Sequence, residues 1–178
     1  MLGEQGIVWL FAVMLGLYVC GTLTVFVSAG QPRHGFSFCG GVCGVAVALL
    51  LLWKKSTLSL SLWQIAGGLN LSLRLDSLAA FFLLVISLLA AVVSIYATGY
   101  VSEYYDKKNV SLLGGGLNLF LLSMALVVSV DNAFAFLLAW ELMSLVSFGL
   151  VMFEHEREDV RTAGFIYVVM THVATLFI

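Results

Sequence analysis

A single carboxylate stands in the middle of an apolar run. Phe134-Ala135-Phe136-Leu137-Leu138-Ala139-Trp140 precede Glu141, and Leu142-Met143 follow it. Glu141 lies nine residues past Asn132, which is about 13 Å along a helix and near mid-bilayer depth. A carboxylate there costs at least about 2.5–3.5 kcal/mol on insertion scales. Such residues face a protein interior and mark ion or proton pathways. The competing reading is a protonated structural glutamate bonded to a neighbouring helix. Desolvation favours the protonated carboxyl and a nearby cation the ionised one, and a proton carrier needs the two in balance. The natural cation would be an intramembrane lysine. Lys54, Lys55, Lys107 and Lys108 all fall outside the apolar runs, so the expected partner belongs to further chain or to another subunit.

His172 is the second candidate for the proton pathway. It lies about ten residues into the last apolar run, at a depth comparable to Glu141, and imidazole relays protons near neutral pH. Its alternative is a packing histidine bonded to a backbone carbonyl. Ser144 follows Glu141 by three positions and is a candidate pathway lining; Ser147 follows on the same helix. Serines so placed also bond their own helix carbonyls or let helices pack closely. His34 and His155 sit in breaks and carry no signal.

The elements that hold these residues are membrane helices. Hydrophobic residues make up 62% of the 178-residue chain and charged residues 10%. Soluble domains run near 45–50% and 25%, and a chain of this size could not enclose so much apolar surface. Runs long enough to span cover 7–29, 36–53, 77–98, 112–130, 133–153 and 162–178. The fold class is therefore all-α integral membrane, with about six transmembrane helices. The last run stops at Ile178 without a polar flank, which reads as a truncated helix. The first has no basic n-region and no small-residue cleavage site, and reads as a retained helix.

Between the second and third runs the period changes. Leu58, Leu60 and Leu62 alternate with serines, and Leu69, Leu71, Leu73 and Leu75 alternate with Asn70, Ser72 and Arg74. That is the strand period. Ala66-Gly67-Gly68 suits a turn, so 58–75 is expected as a hairpin outside the bilayer. Asp76 and Asp131 precede the third and fifth runs and are expected as helix caps. Lys and Arg in the breaks favour an outer N-terminus and an outer hairpin. One side then holds Arg33, Lys107, Lys108, Arg157 and Arg161, the other Lys54, Lys55 and Arg74.

Other chemistry finds no support. Cys20, Cys39 and Cys43 lie in apolar runs without further ligands nearby, and read as small hydrophobes. There is no metal motif, phosphate loop or haem motif. A net charge of −2 without a basic patch argues against nucleic acid.

The segment Leu71-Ser72-Leu73-Arg74-Leu75-Asp76-Ser77-Leu78, with Ser94-Ile95-Tyr96-Ala97-Thr98-Gly99-Tyr100, resembles the antiporter-like subunits of proton-translocating oxidoreductases. So do Asp131-Asn132-Ala133-Phe134, Trp140-Glu141-Leu142-Met143-Ser144-Leu145, and Ala163-Gly164-Phe165-Ile166-Tyr167 with Thr171-His172. Within that superfamily, which includes complex I and multi-subunit Na⁺/H⁺ antiporters, the sequence resembles component B of hydrogenase-4, also called subunit 3 of formate hydrogenlyase. The resemblance covers the chain from about Leu58 onward, and the first two helices match only in hydropathy.

The resemblance implies a larger helical domain with inverted repeats and broken helices at mid-membrane. In it, the carboxylate that maps to Glu141 pairs with a lysine on a later, broken helix. That lysine is not among these residues, so this stretch alone is not expected to translocate protons. The resemblance also implies a multi-pass subunit of the cell inner membrane, associated with membrane and peripheral partners. Fe–S, NiFe or flavin groups would sit on those partners, with no cofactor and no redox site on this chain. Proton or Na⁺ movement would be coupled to their electron transfer. The alternatives are a subunit of a multi-subunit Na⁺/H⁺ antiporter and a non-transporting truncated anchor.

Overall fold

The computed structural model describes residues 4–26, 34–65, 69–100 and 110–177. In chain order the elements are α1 (Glu4–Leu23, followed by a 3₁₀ turn at Thr24–Phe26), α2 (His34–Lys54), β1 (Leu58–Ile65) and β2 (Leu69–Leu75). Then come α3 (Ser77–Tyr100), α4 (Val110–Ser129), α5 (Ala133–Val151, with a 3₁₀ turn at Met152–Glu154) and α6 (Glu158–Thr175). The helices α1 to α5 are long and apolar enough to cross a membrane, and the chain is a multi-pass membrane protein. They correspond to the first five expected runs. The expected end of the first run, at Ala29, lies outside the described residues.

The core forms where α1, α2, α3 and α4 meet. α1 buries Ile7, Phe11, Met14 and Tyr18, spaced alternately by four and three residues, so that one stripe faces its neighbours. Val47, Ala48 and Leu51 of α2, Ala80 and Leu83 of α3, and Leu121 and Ala125 of α4 complete the cluster. Large apolar residues on the outer faces, such as Trp9, Leu78 and Ile95, stay exposed, as lipid contact permits. Close approach rests on small residues. A methyl group placed on Gly41 of α2 would lie 2.8 Å from the Ser87 carbonyl oxygen of α3. Glycine there lets the two backbones touch.

The expected hairpin is present. β1 and β2 pair antiparallel, Leu58 opposite Leu75 and Leu60 opposite Leu73. Leu58, Leu73 and Leu75 are buried in the helical core, while Ser59, Ser61 and Arg74 are exposed. The register then slips by one residue between Ser61 and Trp63, so that Trp63 opposes Leu71 and Ile65 opposes Leu69. This is a β-bulge at Leu62, where simple alternation predicted continuity. The expected turn at 66–68 lies outside the described residues. The hairpin is tied to the helices through its second strand. Leu73 forms an antiparallel bridge with Val130, and the Asp131 N–H donates to the Ser72 carbonyl at 3.0 Å.

One of the two expected caps is corrected. Asp76 caps α3, its Oδ1 accepting from the Ala79 N–H at 2.8 Å. At α5 the cap is Asn132, whose side chain accepts from the Phe134 N–H at 2.8 Å. Asp131 sits one residue too early, its backbone held by the strand. Asn132→Ala is therefore expected to cost about 1 kcal/mol, and Asp131→Ala no capping energy. Hydrogen exchange at the Phe134 amide would separate the two variants.

α6 also departs from expectation. It starts at Glu158, before the expected 162, and its first turn carries Glu158, Asp159 and Arg161. With that charged entry it is not among the five helices apolar enough to span. It packs chiefly on α5 and buries only Gly164.

Candidate functional site

α5 and α6 run antiparallel along one seam, and three contacts set their relation. Gly164 of α6 lies against Met152 and Phe148, so closely that a Cβ would strike the Met152 sulfur. Further along, the Tyr167 and Ser147 hydroxyls are in direct contact. Further still, His172 Nε2 stands 3.4 Å from Glu141 Oε2. Sequence reasoning placed Glu141 and His172 at comparable depth; the structure brings them together.

Glu141 is at the middle of α5, its side chain about one-third exposed, and that of His172 about half exposed. The other ring nitrogen decides the chemistry. Nδ1 of His172 lies 2.9 Å from the Val168 carbonyl oxygen. A carbonyl only accepts, so Nδ1 carries the hydrogen. In a neutral ring Nε2 then presents a lone pair to the carboxylate. Attraction across the 3.4 Å gap therefore needs a proton on one side or the other. The histidine is thus bonded to a backbone carbonyl on one side and faces Glu141 on the other.

The hydroxyls are arranged differently from the acid and base. Ser144 is buried, and its Oγ–H donates to the Glu141 backbone carbonyl at 2.9 Å, away from the carboxylate. Thr171 donates to the Tyr167 and Val168 carbonyls. Ser147 donates to the Ser144 carbonyl at 3.1 Å. At the far end of the seam, Arg157 pairs with Asp159 at 2.8 Å and with Glu154 at 3.6 Å. The Arg157 hydrogen bond holds the exposed Asp159 carboxyl below its ordinary range.

Sequence reasoning missed two polar positions. Tyr167 sits in an apolar stretch, where an aromatic ring reads as packing surface. Asn118 is fully buried in α4 beside Gly21. Its Nδ2 donates to the Gly114 carbonyl at 2.8 Å, and its Oδ1 finds no partner among the described residues. A lone amide in an apolar helix was the available signal. No group of three or more possible metal ligands occurs among the described residues.

Comparison with known proteins places the chain in a family. The family described as NADH-Ubiquinone oxidoreductase (complex I), chain 5 N-terminus, matches residues 63–109. Hydrogenase-4 component B of Escherichia coli (strain K12) is 33% identical over 172 residues, which is 97% of this chain and 25% of that protein. NADH-quinone oxidoreductase subunit L of Mycobacterium tuberculosis is 36% identical over 104 residues, 57% of this chain and 16% of the relative. A putative antiporter subunit, mnhA2, of Staphylococcus aureus is 37% identical over 107 residues, 60% and 13% respectively. The chain spans a quarter or less of the length of these curated relatives. Over the residues it shares with them, it belongs to the antiporter-like membrane-subunit family of complex I, hydrogenase-4 and multi-subunit antiporters.

Proposed function

We propose that this chain is part of a membrane-arm subunit of a hydrogenase-4 or NADH-quinone oxidoreductase type complex, and takes part in proton translocation coupled to electron transfer by partner subunits. The Glu141–His172 pair carries this reading. It is an acid in the middle of the apolar helix α5 with a base on α6 3.4 Å away. Glu141 takes and releases the proton, and His172 stabilises the ionised carboxylate by accepting that proton at Nε2. Metal and flavin chemistry belongs to the partners.

A second reading, a subunit of a multi-subunit Na⁺/H⁺ antiporter, is favoured by the similarity to the staphylococcal antiporter subunit. The two differ in driving force. In inverted membrane vesicles containing the native complex, proton movement on adding formate, hydrogen or NADH supports the first. Proton movement driven by a sodium gradient without any electron donor supports the second. A proton-to-electron ratio unchanged by Glu141→Gln overturns the role given to the pair.

A further inference from the structure

We propose that Tyr167 and Ser147 form a hydroxyl relay between the Glu141–His172 pair and the charged α5–α6 turn. This inference rests on the proton-translocating reading above.

The direction of each hydroxyl proton motivates it. Ser144, Ser147, Thr162, Thr171 and Thr175 all donate to carbonyls of their own helices. A serine has one proton. With that of Ser147 committed to the Ser144 carbonyl, its Oγ can only accept from Tyr167, so Tyr167 is the donor in their contact. Among the described residues of α5 and α6, Tyr167 is the one hydroxyl whose proton crosses between the helices. Its oxygen keeps a lone pair with which to accept another proton.

Position is the second observation. Tyr167 precedes His172 by five residues and Ser147 follows Glu141 by six, about 7.5 and 9 Å along the helices. Ser147 precedes Glu154 by seven residues, about 10 Å. The hydroxyl pair thus stands near the midpoint between the acid–base pair and the turn where Glu154, Arg157 and Asp159 meet. Either gap matches a chain of two or three waters at about 2.8 Å per hydrogen bond.

The transfer balances without electrons changing hands. A water carrying an excess proton gives it to the Tyr167 oxygen. Tyr167 passes its own hydrogen to Ser147 Oγ. Ser147, swung off the Ser144 carbonyl, releases its hydrogen to a water on the turn side. One O–H bond forms for each that breaks, and rotation of both hydroxyls restores the start.

The test uses the native complex, purified through this chain and reconstituted in proteoliposomes. Tyr167→Phe and Ser147→Ala are expected to slow proton translocation at least about tenfold, with Ser147→Thr close to wild type. The infrared carboxyl band of Glu141 should stay in place. Wild-type translocation in Tyr167→Phe, while Glu141→Gln blocks it, overturns the relay alone. Wild-type translocation in both overturns the relay together with the proposed function. A slow Tyr167→Phe whose Glu141 band is displaced as in His172→Gln shows that the tyrosine merely holds α6 in place, and also overturns the relay. If Tyr167→Phe does not assemble, Ser147→Ala carries the test, because it keeps the tyrosine hydroxyl.

Discussion

Glu141→Gln is expected to lower proton translocation by about 100-fold or more in the assembled complex, with assembly itself intact. Glutamine keeps the shape of the side chain and is neutral, so insertion into the bilayer is not impaired. What it loses is the ability to titrate. His172→Gln is expected to cost less, about tenfold, because the carboxyl can still take a proton while losing the base that shares it. The double variant should be no worse than Glu141→Gln alone, since residues that act as a unit are strongly non-additive. Initial rates of proton uptake in proteoliposomes measure all three. Independent, multiplying losses would mean that the 3.4 Å contact has no functional meaning.

The second large effect concerns folding, and two chemically identical changes should have opposite signs. Gly41→Ala places a methyl 2.8 Å from the Ser87 carbonyl oxygen and 2.9 Å from the Ala91 nitrogen. Both are backbone atoms of α3, which no rotamer change can move aside. The helices must separate, at an expected cost of about 1–3 kcal/mol. Gly16→Ala meets nothing within 4 Å and removes helix-interior glycine. It is expected to stabilise by about 0.5–1 kcal/mol. Thermal unfolding in detergent would show a lowered midpoint for the first and a raised one for the second. Equal midpoints would mean that α2 and α3 are not in backbone contact.

Much of this was legible in sequence because the solvent is lipid. Lipid requires long uninterrupted helices, so the runs from 77 and from 133 declared α3 and α5 with little ambiguity. Alternating leucines declared both strands. The bulge at Leu62 was not legible, because Leu58, Leu60 and Leu62 alternate without interruption. Only pairing with β2 reveals that Trp63, not Leu62, opposes Leu71. The α5 cap was misassigned for a related reason. Asp131 and Asn132 are both good caps by chemistry, and the choice is made by the Ser72 carbonyl, a residue far away in sequence. At the site, cost alone identified Glu141. Its contact with His172 depends on how α6 is rotated against α5. Gly164 and Tyr167 set that rotation, and neither residue is unusual for an apolar helix.

The bond between the Asp131 N–H and the Ser72 carbonyl also has a mechanical consequence. It ties Asp131, two residues before α5, to a paired strand, so that this end of the helix is anchored. Asp131 precedes Glu141 by ten residues, a radius of about 15 Å from anchor to acid. At that radius, shortening the 3.4 Å separation from His172 to a strong hydrogen bond near 2.8 Å takes a swing of only about 2°. The leucine-faced hairpin thereby holds in place the start of the helix that carries Glu141.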